Sequence, residues 1–124
     1  MPAGFNNNII WNMAHTVSAQ QGVCYARSGL ELTVEDKYFT LYKPGTKPEE
    51  ILSEGEIEII KQLMMTTLDR LQTDYGNKIF INYTPVVTRY GVELSDIESA
   101  IDFLPFHEGL HLGYIMALKR LVTV

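Results

Sequence analysis

Cystine cross-links are ruled out within this chain, because Cys24 is its only cysteine. A lone thiol fits a reducing compartment. Long hydrophobic runs are missing too: no stretch approaches the roughly 20 apolar residues that span a bilayer. The polar opening residues lack the basic segment and apolar run of a secretory signal, so the expected setting is the cytoplasm. Positive charge is scarce, with 10 Lys and Arg against 15 Asp and Glu and a net charge of −5. The basic residues form no cluster, which argues against nucleic acid or an anionic membrane as a partner. What remains is ordinary globular material. Hydrophobic residues make up 46% and charged residues 20% of 124 positions, enough for one domain with a core that needs no disulfides.

Apolar periodicity predicts three helices and an all-α fold. The first spans about 7–27, capped by Asn6, Asn7 or Asn8, whose side chains can accept from free backbone N–H groups. Ile10, Met13, Ala14, Val17 and Gln21 trace one stripe, and Trp11, His15, Ser18 and Gly22 trace its neighbour. Gly29 offers a left-handed stop, with Leu30 folding back onto the last turn. The second helix opens on Ser53 with Glu56 three residues later, a capping box, and carries Ile57, Ile60, Met64, Leu68, Leu71 and Tyr75 at helical spacing. Gly76 and Asn77 end it. The third opens on Ser95 with Glu98 as a second capping box and runs to about 121. Pro105 lies inside it, predicting either a kink or a helix that restarts there. The connection 30–52 contains Pro44, Gly45 and Pro48 and suits a crossover between helices that are not hairpin neighbours. The connection 77–94 predicts a small β-hairpin or an ordered lid.

Three histidines are present. His107 and His111 stand four residues apart on a helix, which stacks both imidazoles on one face, close enough to share a metal ion or simply to pack together. The string His107-Glu108-Gly109-Leu110-His111 also matches the H-E-x-x-H metalloprotease motif, in which Glu108 would be the general base. That motif takes a third ligand, usually downstream, and residues 112–124 contain no His, Asp, Glu or Cys. His15 is the other candidate. If the first and third helices are neighbours, three imidazoles converge and leave a coordination position open, the pattern of catalytic rather than structural sites. Glu108 is otherwise a solvated or ion-paired helix residue. Trp11 is read as packing beside the site, Cys24 as a small buried hydrophobe, and Asn12 as a candidate to orient an imidazole. Tyr114 is either packed or aimed at the open position.

Residues 6–15 (NNNIIWNMAH) and 106–113 (FHEGLHLG), with Gly45-Thr46-Lys47-Pro48 and Asn82-Tyr83-Thr84-Pro85, resemble the DinB-like (YfiT-like) superfamily of bacterial helical-bundle proteins over nearly the whole chain. The resemblance implies a divalent-metal site formed by His15, His107 and His111. Zinc is the default, and nickel, iron and manganese are alternatives. It further implies metal-dependent transferase or isomerase chemistry with a low-molecular-weight thiol as a substrate class. Since a thiolate or a water could each fill the open position, the expected function is a transferase or hydrolase, with Glu108, adjacent to a ligand, as the candidate acid or base. The rival reading is a non-catalytic metal-binding or protein-interaction module. Family members carry a further helix before the segment matching Asn6, so the expectation is three of the usual four bundle helices, antiparallel with a long crossover. An exposed apolar groove would follow, which a second copy would cover in a homodimer.

Overall fold

The computed structural model describes residues 8–48 and 51–122. The fold is all-α apart from one tiny sheet: α1 (Ile9–Gln20), α2 (Asp36–Thr40), α3 (Glu54–Gly76), β1 (Val86–Val87), β2 (Glu93–Leu94) and α4 (Ile97–Val122). Asn8 caps α1, its Oδ1 accepting from the Trp11 N–H at 2.8 Å. Asn6 and Asn7, the other candidate caps, lie outside the described residues.

The first helix is not one regular α-helix through residue 27 as predicted. After Gln20 it widens into a π turn, Gln21–Tyr25, then tightens into a 3₁₀ turn, Ala26–Ser28. Gly22 sits in the widened turn, where an added Cβ would stand 3.2 Å from the Phe39 ring, so glycine lets α2 approach closely. The predicted stop is present in full. Gly29 has φ 72°, its N–H donates to the Ala26 carbonyl at 3.0 Å, and the Leu30 N–H reaches the Tyr25 carbonyl at 3.0 Å.

α3 begins as expected, with Ser53 Oγ accepting from the Glu56 N–H at 3.2 Å. The cap of α4 is shifted by one residue from the expected Ser95–Glu98 box. Asp96 is the cap: its Oδ1 accepts from the Ser99 N–H at 2.7 Å, and Ser99 Oγ accepts in return from the Asp96 N–H at 3.1 Å. The carboxylate outcompetes Ser95 because it is ionised and faces the positive helix end. Hydrogen bonds from Ser99 hold the Asp96 carboxyl below its usual range. α4 passes through Pro105 as one helix rather than restarting. Pro105 is exposed, so water can meet the carbonyl that its ring displaces.

Contacts fix the helix directions. Trp11 and Ala14 pack with Ile60 near the start of α3, while the Tyr25 hydroxyl donates to Asp74 at 2.6 Å near its end. α1 and α3 therefore run the same way, which the crossover makes possible. Cys24 and Tyr25 pack against Ile97, Ala100 and Leu104, so α4 runs antiparallel to α1. α1 thus lies against both α3 and α4. The apolar stripe of α3 is only partly covered: Ile60 and Leu71 are buried, but Leu68 and Tyr75 are each 43% exposed. A groove between α3 and α4, floored by α1, carries the apolar side chains Val17, Met64, Leu68, Leu112 and Ile115. Among the described residues no helix is long and apolar enough to cross a membrane.

Replacing Asp96 by Ala should lower stability, as loss of an N-cap does. Ser95→Ala should be near neutral, and urea unfolding of both variants checks which residue is the cap.

Candidate metal centre

Polar residues at a spacing of three run along α1 into the π turn after it, and each meets a partner outside that segment. Asn12, His15, Ser18 and Gln21 are all buried. Ser18 Oγ donates to the Phe39 carbonyl at 2.9 Å, and Gln21 Oε1 accepts from the Thr33 N–H at 2.8 Å. His15 Nδ1 stands 2.6 Å from the Tyr42 carbonyl. A carbonyl can only accept, so His15 Nδ1 carries the proton and Nε2 is left with a lone pair. These bonds pin the 30–52 crossover to α1 and set the imidazole orientation at once.

His111 is oriented in the same way from the other side. Its Nδ1 lies 2.8 Å from Asn12 Oδ1, while Asn12 Nδ2 donates to the Asn8 carbonyl at 2.9 Å. The amide oxygen therefore faces the ring, which places the His111 proton on Nδ1 and its lone pair on Nε2. That Nε2 faces Nε2 of His107 at 3.2 Å. Ligand atoms of His15, His107 and His111 all lie within 4.8 Å of one another. Two nitrogens bound at 2.0–2.1 Å to one tetrahedral ion would stand about 3.3 Å apart. The His107–His111 spacing thus matches bonding to one ion, and the donor set fits a borderline divalent ion: neutral imidazoles, with the outward N–H groups of His15 and His111 already held.

The surroundings keep the rings uncharged. Burial pushes His107 down to about 4 and His111 down to about 3, and it lowers His15 as well. The Arg89 guanidinium acts in the same direction on all three. Neutral imidazole is the form that ligates. Trp11 stacks on His15, with ring centres 4.7 Å apart and planes 8° from parallel, and Phe103 stacks on His107 at 5.6 Å. These flat walls limit ring rotation.

The trio sits between two openings. His15 and His107 line a cavity of about 590 Å³ beneath the β1–β2 hairpin. His111 lines the α3–α4 groove, together with Glu108. Glu108 is half-buried, and burial raises its carboxyl above the usual range. It stands on the groove side, not in the cavity shared by His15 and His107. The third imidazole comes from α1, upstream, rather than from the downstream position the metalloprotease motif uses. Tyr114 is 44% exposed, with its ring 6.0 Å from that of His111. Cys24 is fully buried, and its thiol is pushed up to about 12, which makes it inert.

Besides Phe103, three contributors escaped the sequence reading. The Tyr42 carbonyl is main chain and leaves no trace in residue identity. Tyr90 packs its ring on Phe106 at 5.7 Å and on His107 at 6.3 Å. Arg89 lines the cavity beside it. Gly91 was the available signal for the turn that presents both, since its φ of 79° closes the hairpin.

The class defined by fold and site is a helical bundle with a buried three-histidine group able to hold a metal ion. The family model of the DinB superfamily matches residues 1–115, and the chain belongs to that superfamily. No curated protein and no solved structure matches it.

Replacing Asn12 by Leu removes the acceptor that orients His111. Zinc affinity should fall about 10- to 100-fold, the usual effect of losing a hydrogen bond behind a ligand. Competition against a chromophoric chelator measures it, with circular dichroism confirming that the helices persist.

Proposed function

We propose that this protein is a metal-dependent transferase or hydrolase in which His15, His107 and His111 hold one divalent transition-metal ion. The convergence of three neutral imidazoles at the edge of a cavity is the observation that carries this reading. Three protein ligands leave at least one coordination position, and the cavity gives a small molecule a way to it. An ion held there would act as a Lewis acid and lower the pKa of a thiol or water brought to it. Zinc suits three imidazoles, and nickel, iron and manganese share the preference.

The chain's own residues supply the remainder. Tyr42 and Asn12 fix which nitrogens face inward. Trp11 and Phe103 exclude water from the ring faces. Glu108, held above the usual carboxylate range, is placed to take or give a proton on the groove side next to His111. A low-molecular-weight thiol is the favoured small-molecule substrate, in keeping with the superfamily, and the cytoplasm is the matching compartment. Pairing of two copies over the α3–α4 groove belongs to the same proposal, supported by exposed Leu68 and Leu112 on its two sides.

Cobalt(II) reports on the open position. Added cysteine should produce a thiolate-to-cobalt charge-transfer band in the cobalt-substituted protein. A spectrum unmoved by thiol and by pH would mean a closed site, and would favour the non-catalytic metal-binding module instead.

A further inference from the structure

The cavity beneath the hairpin has a composition unlike that of the chain. The protein carries 15 acidic and 10 basic residues. Yet among the described residues this cavity is lined by two arginines, Arg27 and Arg89, and by no Asp or Glu. The ion pairs among the described residues are Lys37–Glu56 and Arg70–Asp74, so neither guanidinium is neutralised by a carboxylate there. Most of the remaining lining is apolar, with Val23, Val86 and Phe103 among it. At about 590 Å³ the space matches that of small-ligand sites, which are mostly apolar with a few placed polar groups.

Arg89 is the better placed of the two cations. It stands at the hairpin tip, where the Thr88 hydroxyl accepts from the N–H groups of Tyr90 at 3.3 Å and Val92 at 3.2 Å. The next residue, Tyr90, is held against Phe103, Phe106 and His107 of α4. The tip is thus tied to the helix that carries two of the imidazoles. The Arg89 guanidinium lies over the Tyr90 ring at 5.7 Å and has no carboxylate partner among the described residues. A planar guanidinium so held at the rim of an apolar chamber matches a carboxylate in both shape and charge.

We propose that this cavity binds a small organic carboxylate. Its apolar body lies against Val23, Val86 and Phe103, and its carboxylate pairs with Arg89 at the approach to the three histidines. Arg89 is then a specificity-determining residue, selecting anionic over neutral substrates. As a statement about substrate class it rests on the functional reading above, but anion selection by Arg89 does not need a metal ion.

Binding of 4-phenylbutyrate and of its neutral isostere 4-phenylbutyramide, measured by calorimetry on metal-free and zinc-loaded protein, tests this. The carboxylate should bind about tenfold tighter than the amide in the metal-free form, as a charge-assisted hydrogen bond provides. Arg89→Gln should abolish that preference and Arg89→Lys should keep part of it. Equal binding of acid and amide overturns the proposal. So does a preference that survives Arg89→Gln in metal-free protein, or failure of both probes to bind at millimolar concentration. Discrimination by Arg89 in a protein that takes up no zinc would remove the metal reading and leave this one. Full zinc loading without discrimination would do the reverse.

Discussion

The hydrogen bond between His15 Nδ1 and the Tyr42 carbonyl is the contact on which the rest of the site depends. It ties α1 to the middle of the crossover, just past α2, and it decides which imidazole nitrogen faces the other two rings. Asn12 does the same for His111 across α4. Both bonds involve polar groups buried in a helical core, where losing one partner costs about 1–3 kcal/mol. That penalty makes the arrangement specific: Asn12, His15, Ser18 and Gln21 are satisfied only when the crossover and α4 lie where they do. Polar residues along α1 thus select the packing that apolar residues alone would leave degenerate.

The same arrangement explains the electrostatics. Three imidazoles brought so close in a buried place cannot readily take up protons, because each cation would face desolvation, its neighbours and Arg89. The outcome is a cluster into which His15 and His111 both turn a lone pair, since their protons are held outward, with His107 Nε2 3.2 Å from that of His111. Such a cluster is poorly served by water-poor surroundings and well served by a single cation. The two openings then divide the chemistry. The hairpin side offers apolar walls and guanidinium charge, and the groove side offers the Glu108 carboxyl. The π turn directly after α1 belongs to the same design, because Gly22 in it lets Phe39 close over the cavity.

Much of the site could be read in the sequence because it is encoded locally. The i, i+4 spacing put His107 and His111 on one face whatever the rest of the chain did. The Gly29 stop and the Ser53 cap depend on a few adjacent residues and formed as their chemistry dictates. His15 required one long-range assumption, that the first and third helices are neighbours, and that assumption is met. The parts that were hidden are set by tertiary contact. The π turn answers to Phe39, seventeen residues beyond Gly22. The α4 cap depended on a contest between Ser95 and Asp96 that propensity alone ranks as nearly equal. The exposure of Leu68 and Tyr75 on an otherwise helical apolar stripe reflects which neighbour α3 has, and periodicity cannot supply that.

The central claim is that three imidazoles from two helices share one ion. Calorimetric titration of zinc into tag-free, metal-free protein tests it most directly, with His15→Ala, His107→Ala and His111→Ala measured alongside. The account predicts one equivalent bound by the native chain and loss of that tight binding in each of the three variants. A native chain that takes up no zinc, or any one variant that still binds a full equivalent with unchanged affinity, would contradict it.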